Sequence, residues 1–129
     1  MPNLSDSDVA TAAQALYQAE LDNEPITPIS ETYPAADIED AYRISQAVTD
    51  LKVEAGRVIK GHKIGLTSKA MRALTNATEP DYGTMFDNWF VLEGGIVPRS
   101  TMNRPLVEVE LAFVLKDRSP VLGSMSPMS

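Results

Sequence analysis

Apolar positions recur at helical spacing in two stretches near the start of the chain. Val9, Ala12, Ala13, Leu16, Tyr17 and Ala19 form one stripe, preceded by cap-forming residues from Ser5 to Asp8 and ended near Asn23 and Pro25. Ala41, Tyr42, Ile44, Ala47, Val48, Leu51 and Val53 form the other. It opens on Asp37-Ile38-Glu39-Asp40, whose acids complement a helix dipole, and closes at Gly56, a residue suited to a C-cap. Between the two, Glu24 to Pro34 carries three prolines and several turn formers, and predicts an irregular connector. The tyrosines on these stripes (Tyr17, Tyr42) and in the connector (Tyr33) are expected to pack, and no chemistry is assigned to them.

The pattern changes at Arg57. Val58 to Leu66 reads as a strand punctuated by Gly61 and Gly65, with Thr67-Ser68 capping a short helix from Lys69 to Leu74. Glycines inside a strand mark places where a ligand or another backbone comes close, so His62 and Lys63 lie at a potential cavity. On spacing alone an ordinary exposed lysine is the simpler account of Lys63, and a hydrogen-bonded packing residue that of His62. Glu79-Pro80-Asp81-Tyr82-Gly83 predicts a turn, Trp89-Phe90-Val91 a strand, and Glu93-Gly94-Gly95 a hairpin turn ahead of Ile96-Val97-Pro98.

The densest apolar run is Arg104 to Leu115, which predicts a strand interrupted by two carboxylates. Side chains alternate along a strand, so Glu108 and Glu110 point the same way, about 7 Å apart. A solvated face, with the pair meeting water or Lys and Arg, is the simpler account of that spacing. The continuation Leu111-Ala112-Phe113-Val114-Leu115 is apolar on both faces and favours a central strand whose carboxylates open into a cavity. There a hard cation such as Mg²⁺ would offset their repulsion.

Composition narrows the field. The chain has 129 residues, 43% apolar and 22% charged, as expected of one ordinary globular unit. A net charge of −7 argues against nucleic-acid and anionic-membrane partners. The absence of cysteine excludes disulfides, thiolate catalysis and thiolate-bound zinc, and a single histidine excludes a histidine-rich metal site. No run approaches the ~20 apolar residues of a membrane span, and the first residues lack the pattern of a signal peptide, so a cytoplasmic location is expected.

Three blocks, Gly61 to Met71, Glu79 to Gly83 and Pro105 to Leu115, together resemble the hydratase/decarboxylase branch of the fumarylacetoacetate hydrolase superfamily. The likeness runs in order from the first helix to about Asp117 and includes Tyr33-Pro34 and Ile38 to Tyr42. It implies an α+β fold: N-terminal helices (1–56), then the first part of a mixed β-roll (57–118), with 119–129 an irregular tail. It also implies a Mg²⁺ or Mn²⁺ site using Glu108, Glu110 and a third carboxylate further along, with Lys63 and Asp81 as catalytic residues and His62 as a weaker neighbour.

The implied reaction is hydration of a small-molecule 2-oxo-enoic diacid, such as 2-oxo-hept-4-ene-1,7-dioate, in aromatic-compound catabolism. The full-length protein would be a homo-oligomer. Ser119 to Ser129 does not resemble the family's continuation and no acidic residue follows Asp117, so the chain reads as an N-terminal portion without the third metal carboxylate, expected to be inactive by itself. The sister decarboxylation and a non-catalytic fragment acting through subunit association remain as alternatives. The fragment reading expects exposed apolar surface from Val107 to Leu115.

Overall fold

The structure, a computed structural model, describes residues 2–117; the tail expected over 119–129 lies outside them. Helix α1 (Asp6–Asp22) starts at a reciprocal capping box, Ser5 accepting from the Asp8 N–H, and ends at Asn23 in the left-handed conformation. A single turn, α2 (Ile29–Thr32), interrupts the connector. Helix α3 (Ile38–Glu54) repeats the capping box with Asp37 and Asp40. It closes as expected at Gly56 (φ +89°), with Gly56 N–H on the Val53 carbonyl and Arg57 N–H on that of Lys52.

Helices α1 and α3 pack through Val9, Ala12, Ala13 and Ile44, all buried, with Leu16, Ala47, Val48 and Leu51 around them and Ile29 and Tyr33 of the connector against the same cluster. The two alanines let the helices approach closely. Most of both predicted stripes is therefore core, while Ala41 and Val53 at the ends of the second are exposed.

Asp40 does more than complement a helix dipole. Its fully buried carboxylate accepts from the N–H groups of Asn3 (2.9 Å), Leu4 (3.2 Å) and Asp37 (3.4 Å) and pairs with Arg43 at 2.8 Å. Arg43 in turn reaches the Leu4 carbonyl (2.9 Å) and Asp6 (2.6 Å), fastening the segment before α1 to the start of α3. Burial by itself pushes this carboxyl up, but the backbone donors of Asn3, Leu4 and Asp37 and the guanidinium outweigh it and hold the group below the usual carboxylate range.

Strands β1 (Ile59–Gly65) and β2 (Asp81–Phe86) form an antiparallel ribbon joined through α4 (Lys69–Thr75), which Ser68 caps as expected. Asp81-Tyr82-Gly83, predicted as a turn, instead begins β2, because pairing with Gly65, Ile64 and Lys63 supplies ladder hydrogen bonds that outweigh local turn propensity. Trp89-Phe90-Val91 is not a strand: Asp87–Trp89 is a 3-10 turn, followed by irregular chain to a second one at Arg99–Thr101. The expected turn at Glu93-Gly94-Gly95 is present, with Gly94 at φ +80° and Gly95 N–H on the Leu92 carbonyl, but it joins no strands.

The expected β-roll is not formed among the described residues, where the sheet is this two-stranded ribbon. Leu106 to Leu115 makes no ladder, so the predicted central strand is irregular and lies open, with Val107 96% and Val109 100% exposed. A strand exists only by pairing, and no neighbour is at hand. No helix among the described residues is long and apolar enough to cross a membrane.

Because the folded chain holds the Asp40 proton less tightly than the unfolded chain does, its contribution to stability is complete above the ordinary value of 3.8 and is lost as pH falls through the depressed folded value. We expect Asp40→Asn to lower the melting temperature at pH 7 by roughly 5 °C or more. The variant should also show a shallower loss of stability below pH 4 than the parent, as thermal scans across that range would reveal.

Candidate active site

Alternation along β1 puts Gly61, Lys63 and Gly65 on one face of the ribbon. The residues opposite are Met85, Gly83 and Asp81. Every cross-strand pair on this face therefore contains a glycine, leaving a shallow floor from which Lys63 and Asp81 rise. Gly65 is required for this arrangement: a Cβ there would stand 2.1 Å from Oδ1 of Asp81.

Lys63 Nζ meets Glu108 Oε2 at 3.2 Å and Glu110 Oε1 at 3.1 Å. The i, i+2 spacing thus delivers both carboxylates to one point, as expected, although the segment carrying them forms no ladder. Their hydrogen bonds, Glu110 first and then Glu108, push the Lys63 ammonium above the usual lysine range despite some desolvation, so it stays charged at neutral pH. All three side chains are about half exposed, where water screens an ion pair and its contribution to stability is small. The importance of the cluster is positional.

A cavity of about 310 Å³ opens beside it, bordered by Lys63, the Gly65-to-Ser68 turn, Asp81, Glu108 and Glu110. Four of the five residues singled out in the sequence therefore converge on one space. His62, on the other face of β1, does not border it; its ring meets Tyr82 edge-on, with centroids 6.3 Å apart. His62 Nδ1 is buried without a hydrogen-bond partner among the described residues. Tyr82 stacks on Tyr42 of α3 at 5.0 Å, tying the ribbon to the helices.

Sequence reading placed Asp81 on a turn and missed the part played by Gly83, whose position opposite Lys63 emerges only with the ladder register. The signal available was the two-residue spacing of Gly61, Lys63 and Gly65, which share one face.

Two glutamate carboxylates whose oxygens already converge on one cation form a hard-oxygen pair that fits Mg²⁺ or Mn²⁺. Among the described residues no group of three or more His, Asp or Glu side chains is close enough to hold a metal ion. The pair would leave the remaining coordination positions to water and substrate.

Gly65→Ala should turn the Asp81 carboxylate away from the ribbon floor with little loss of fold. We expect the carboxyl carbon resonance of Asp81 to shift while the melting temperature moves by only about 3 °C. An unchanged Asp81 resonance would show that the two residues are not in contact.

No family model matches the chain. It is 50% identical over 103 residues to the 2-oxo-hept-4-ene-1,7-dioate hydratase of Escherichia coli, a match covering 80% of this chain and 39% of that protein. It is 39% identical over 104 residues to the 2-keto-4-pentenoate hydratase of Paraburkholderia xenovorans, covering 81% of this chain and again 39% of the relative. Among solved structures it resembles a 4-oxalocrotonate decarboxylase from Pseudomonas putida complexed with calcium and acetate. The TM-score is 0.76 and the identity 31%, covering 78% of this chain and 39% of that one. The same enzyme complexed with magnesium and adipate matches with a TM-score of 0.66 and 30% identity, over 68% of this chain and 34% of that one. The chain spans about two fifths of the length of the curated relatives it matches. Over the four fifths of its own length that align, the chain is similar to these hydratases and to the decarboxylase.

Proposed function

We propose that the chain is part of a divalent-metal-dependent hydratase that adds water to a 2-oxo-enoic diacid, such as 2-oxo-hept-4-ene-1,7-dioate, in aromatic-compound degradation. The observation that carries this reading is the meeting of Glu108 and Glu110 on Lys63 at the mouth of a cavity that also holds Asp81. The names of the curated relatives support the hydratase over its sister. A cytoplasmic location and assembly with further copies go with this reading.

Glu108 and Glu110 would hold Mg²⁺ or Mn²⁺. When bound, the cation supplies Lewis-acid polarisation of the substrate's carboxylate and 2-oxo oxygens. Lys63, kept protonated, donates a hydrogen bond to an oxygen on which negative charge builds and so stabilises the transition state more than the ground state. The Asp81 carboxylate stands on the floor of the same cavity and serves as the proton acceptor from substrate or water. Placement of His62 behind the ribbon suits it to supporting Tyr82 more than to meeting substrate.

Decarboxylation of a related 2-oxo acid is the second reading, favoured by the structural likeness to the decarboxylase. Association without catalysis is the third, favoured by the open apolar run in which Val107, Val109 and Val114 are almost fully exposed.

The test is Mg²⁺-dependent loss of the ultraviolet absorbance of a 2-oxo-hept-4-ene-1,7-dioate preparation. Turnover that stops with chelator and is lost when Glu108, which would hold the cation, is replaced (Glu108→Gln) is the result expected of a complete site. Release of carbon dioxide would favour the decarboxylase, and a folded chain without turnover would overturn catalysis by this chain. Lys63→Met should lose turnover yet bind Mn²⁺ about fivefold more tightly by electron paramagnetic resonance, because the ammonium no longer competes for the two glutamates.

A further inference from the structure

We propose that Arg72 is a positioning residue: it clamps a left-handed turn at Leu66 and thereby sets how tightly the Lys63 cavity takes a small 2-oxo acid. The inference rests on the hydratase reading for its ligand, though not for the clamp itself.

Chain leaving β1 at Gly65 must reverse into α4 within Leu66, Thr67 and Ser68, all of which border the cavity. Leu66 makes the reversal at φ +52°. In that region an L-residue's Cβ crowds the following carbonyl oxygen, and glycine is the residue that enters it freely. A leucine there needs an external hold. Arg72, one turn into α4, supplies it: its Nη1 donates to the Leu66 carbonyl at 2.7 Å and to the Thr67 carbonyl at 2.8 Å. The far end of the turn is anchored separately, since Ser68 Oγ accepts from the Met71 N–H at 3.1 Å.

The hold has two consequences for the cavity. Both carbonyl oxygens are engaged by Arg72, which fixes the turn bordering a space that presents Asp81, Glu108 and Glu110. Gly65, beside which the Asp81 carboxylate sits, is fixed by the residue that follows it.

Without Arg72, Leu66 should leave the left-handed region, and the fraction of chains with a competent wall should fall roughly tenfold, the ratio by which that conformation is disfavoured for leucine. Apparent affinity for a ligand of the cavity falls by the same factor. Leu66→Gly removes the Cβ conflict, so Arg72 should matter little in its presence.

The experiment compares the parent chain, Arg72→Ala, Leu66→Gly and the double variant by titration calorimetry with oxalate in the presence of Mn²⁺, alongside amide hydrogen exchange of residues 65–68. We expect Arg72→Ala to bind oxalate about tenfold more weakly and to exchange faster at those amides. The double variant should bind as Leu66→Gly does, an interaction that a general loss of stability would not produce. Equal weakening by Arg72→Ala in both backgrounds would overturn the proposal, as would unchanged affinity and exchange. If the parent itself binds no oxalate, the hydratase reading fails for this chain. Exchange at residues 65–68 then decides the clamp, and an unchanged rate in Arg72→Ala overturns it.

Discussion

The buried ammonium of Lys52 joins the two halves of this structure. Its Nζ lies 2.6 Å from Glu20 of α1, 4.9 Å from the centre of the Phe86 ring and 4.5 Å from that of Trp89, so one charge on α3 binds a second helix and the end of β2. A lysine side chain left only 6% exposed would be costly without such partners, and here a carboxylate and two ring faces replace water. Phe86 is itself almost wholly buried, and just beyond the ladder the Asp87 N–H donates to the Val58 carbonyl while the Val58 N–H donates to the Asp87 carboxylate. With the Tyr42–Tyr82 stack, these contacts set the ribbon against the helix pair. The ribbon held in this way carries Lys63 and Asp81 of the candidate cavity.

On the ribbon, chemistry is arranged by omission as much as by presence. Gly61, Gly83 and Gly65 clear one face, and Lys63 and Asp81 occupy what they leave. Lys63 then gathers Glu108 and Glu110, giving a segment without secondary structure a defined attachment to the ribbon. In the proposed reaction a divalent cation would be held by this carboxylate pair, and Lys63 would then be free to donate to substrate. The same contacts thus serve as structure in the free chain and as machinery in the proposed reaction.

Local features proved legible where they concern one element at a time. The two apolar stripes, the caps at Ser5, Asp37 and Ser68, the stop at Gly56 and the glycine-punctuated strand are all properties of residues within a few positions of one another. The i, i+2 relation of Glu108 and Glu110 was equally readable, because it depends only on side-chain alternation. Three ordered blocks of residues further pointed to the hydratases and the decarboxylase that the aligned part of the chain resembles.

Features that depend on distant partners were decided by the tertiary structure alone. Asp81 lies in a strand because Gly65 pairs with it, whereas the run from Arg104 to Leu115, strand-like in every local respect, has no ladder neighbour among the described residues and stays open. Burial of Asp40 arises from the chain before α1 folding back to donate to it, and that of Lys52 from α1 and the end of β2 closing over it. The sequence by itself determined where the three longer helices lie, which residues share a face and which side chains are available for chemistry. Which of those segments pair, and hence which side chains meet, was left to the tertiary structure, because hydrogen-bond ladders and buried charges draw their energy from residues that are remote along the chain.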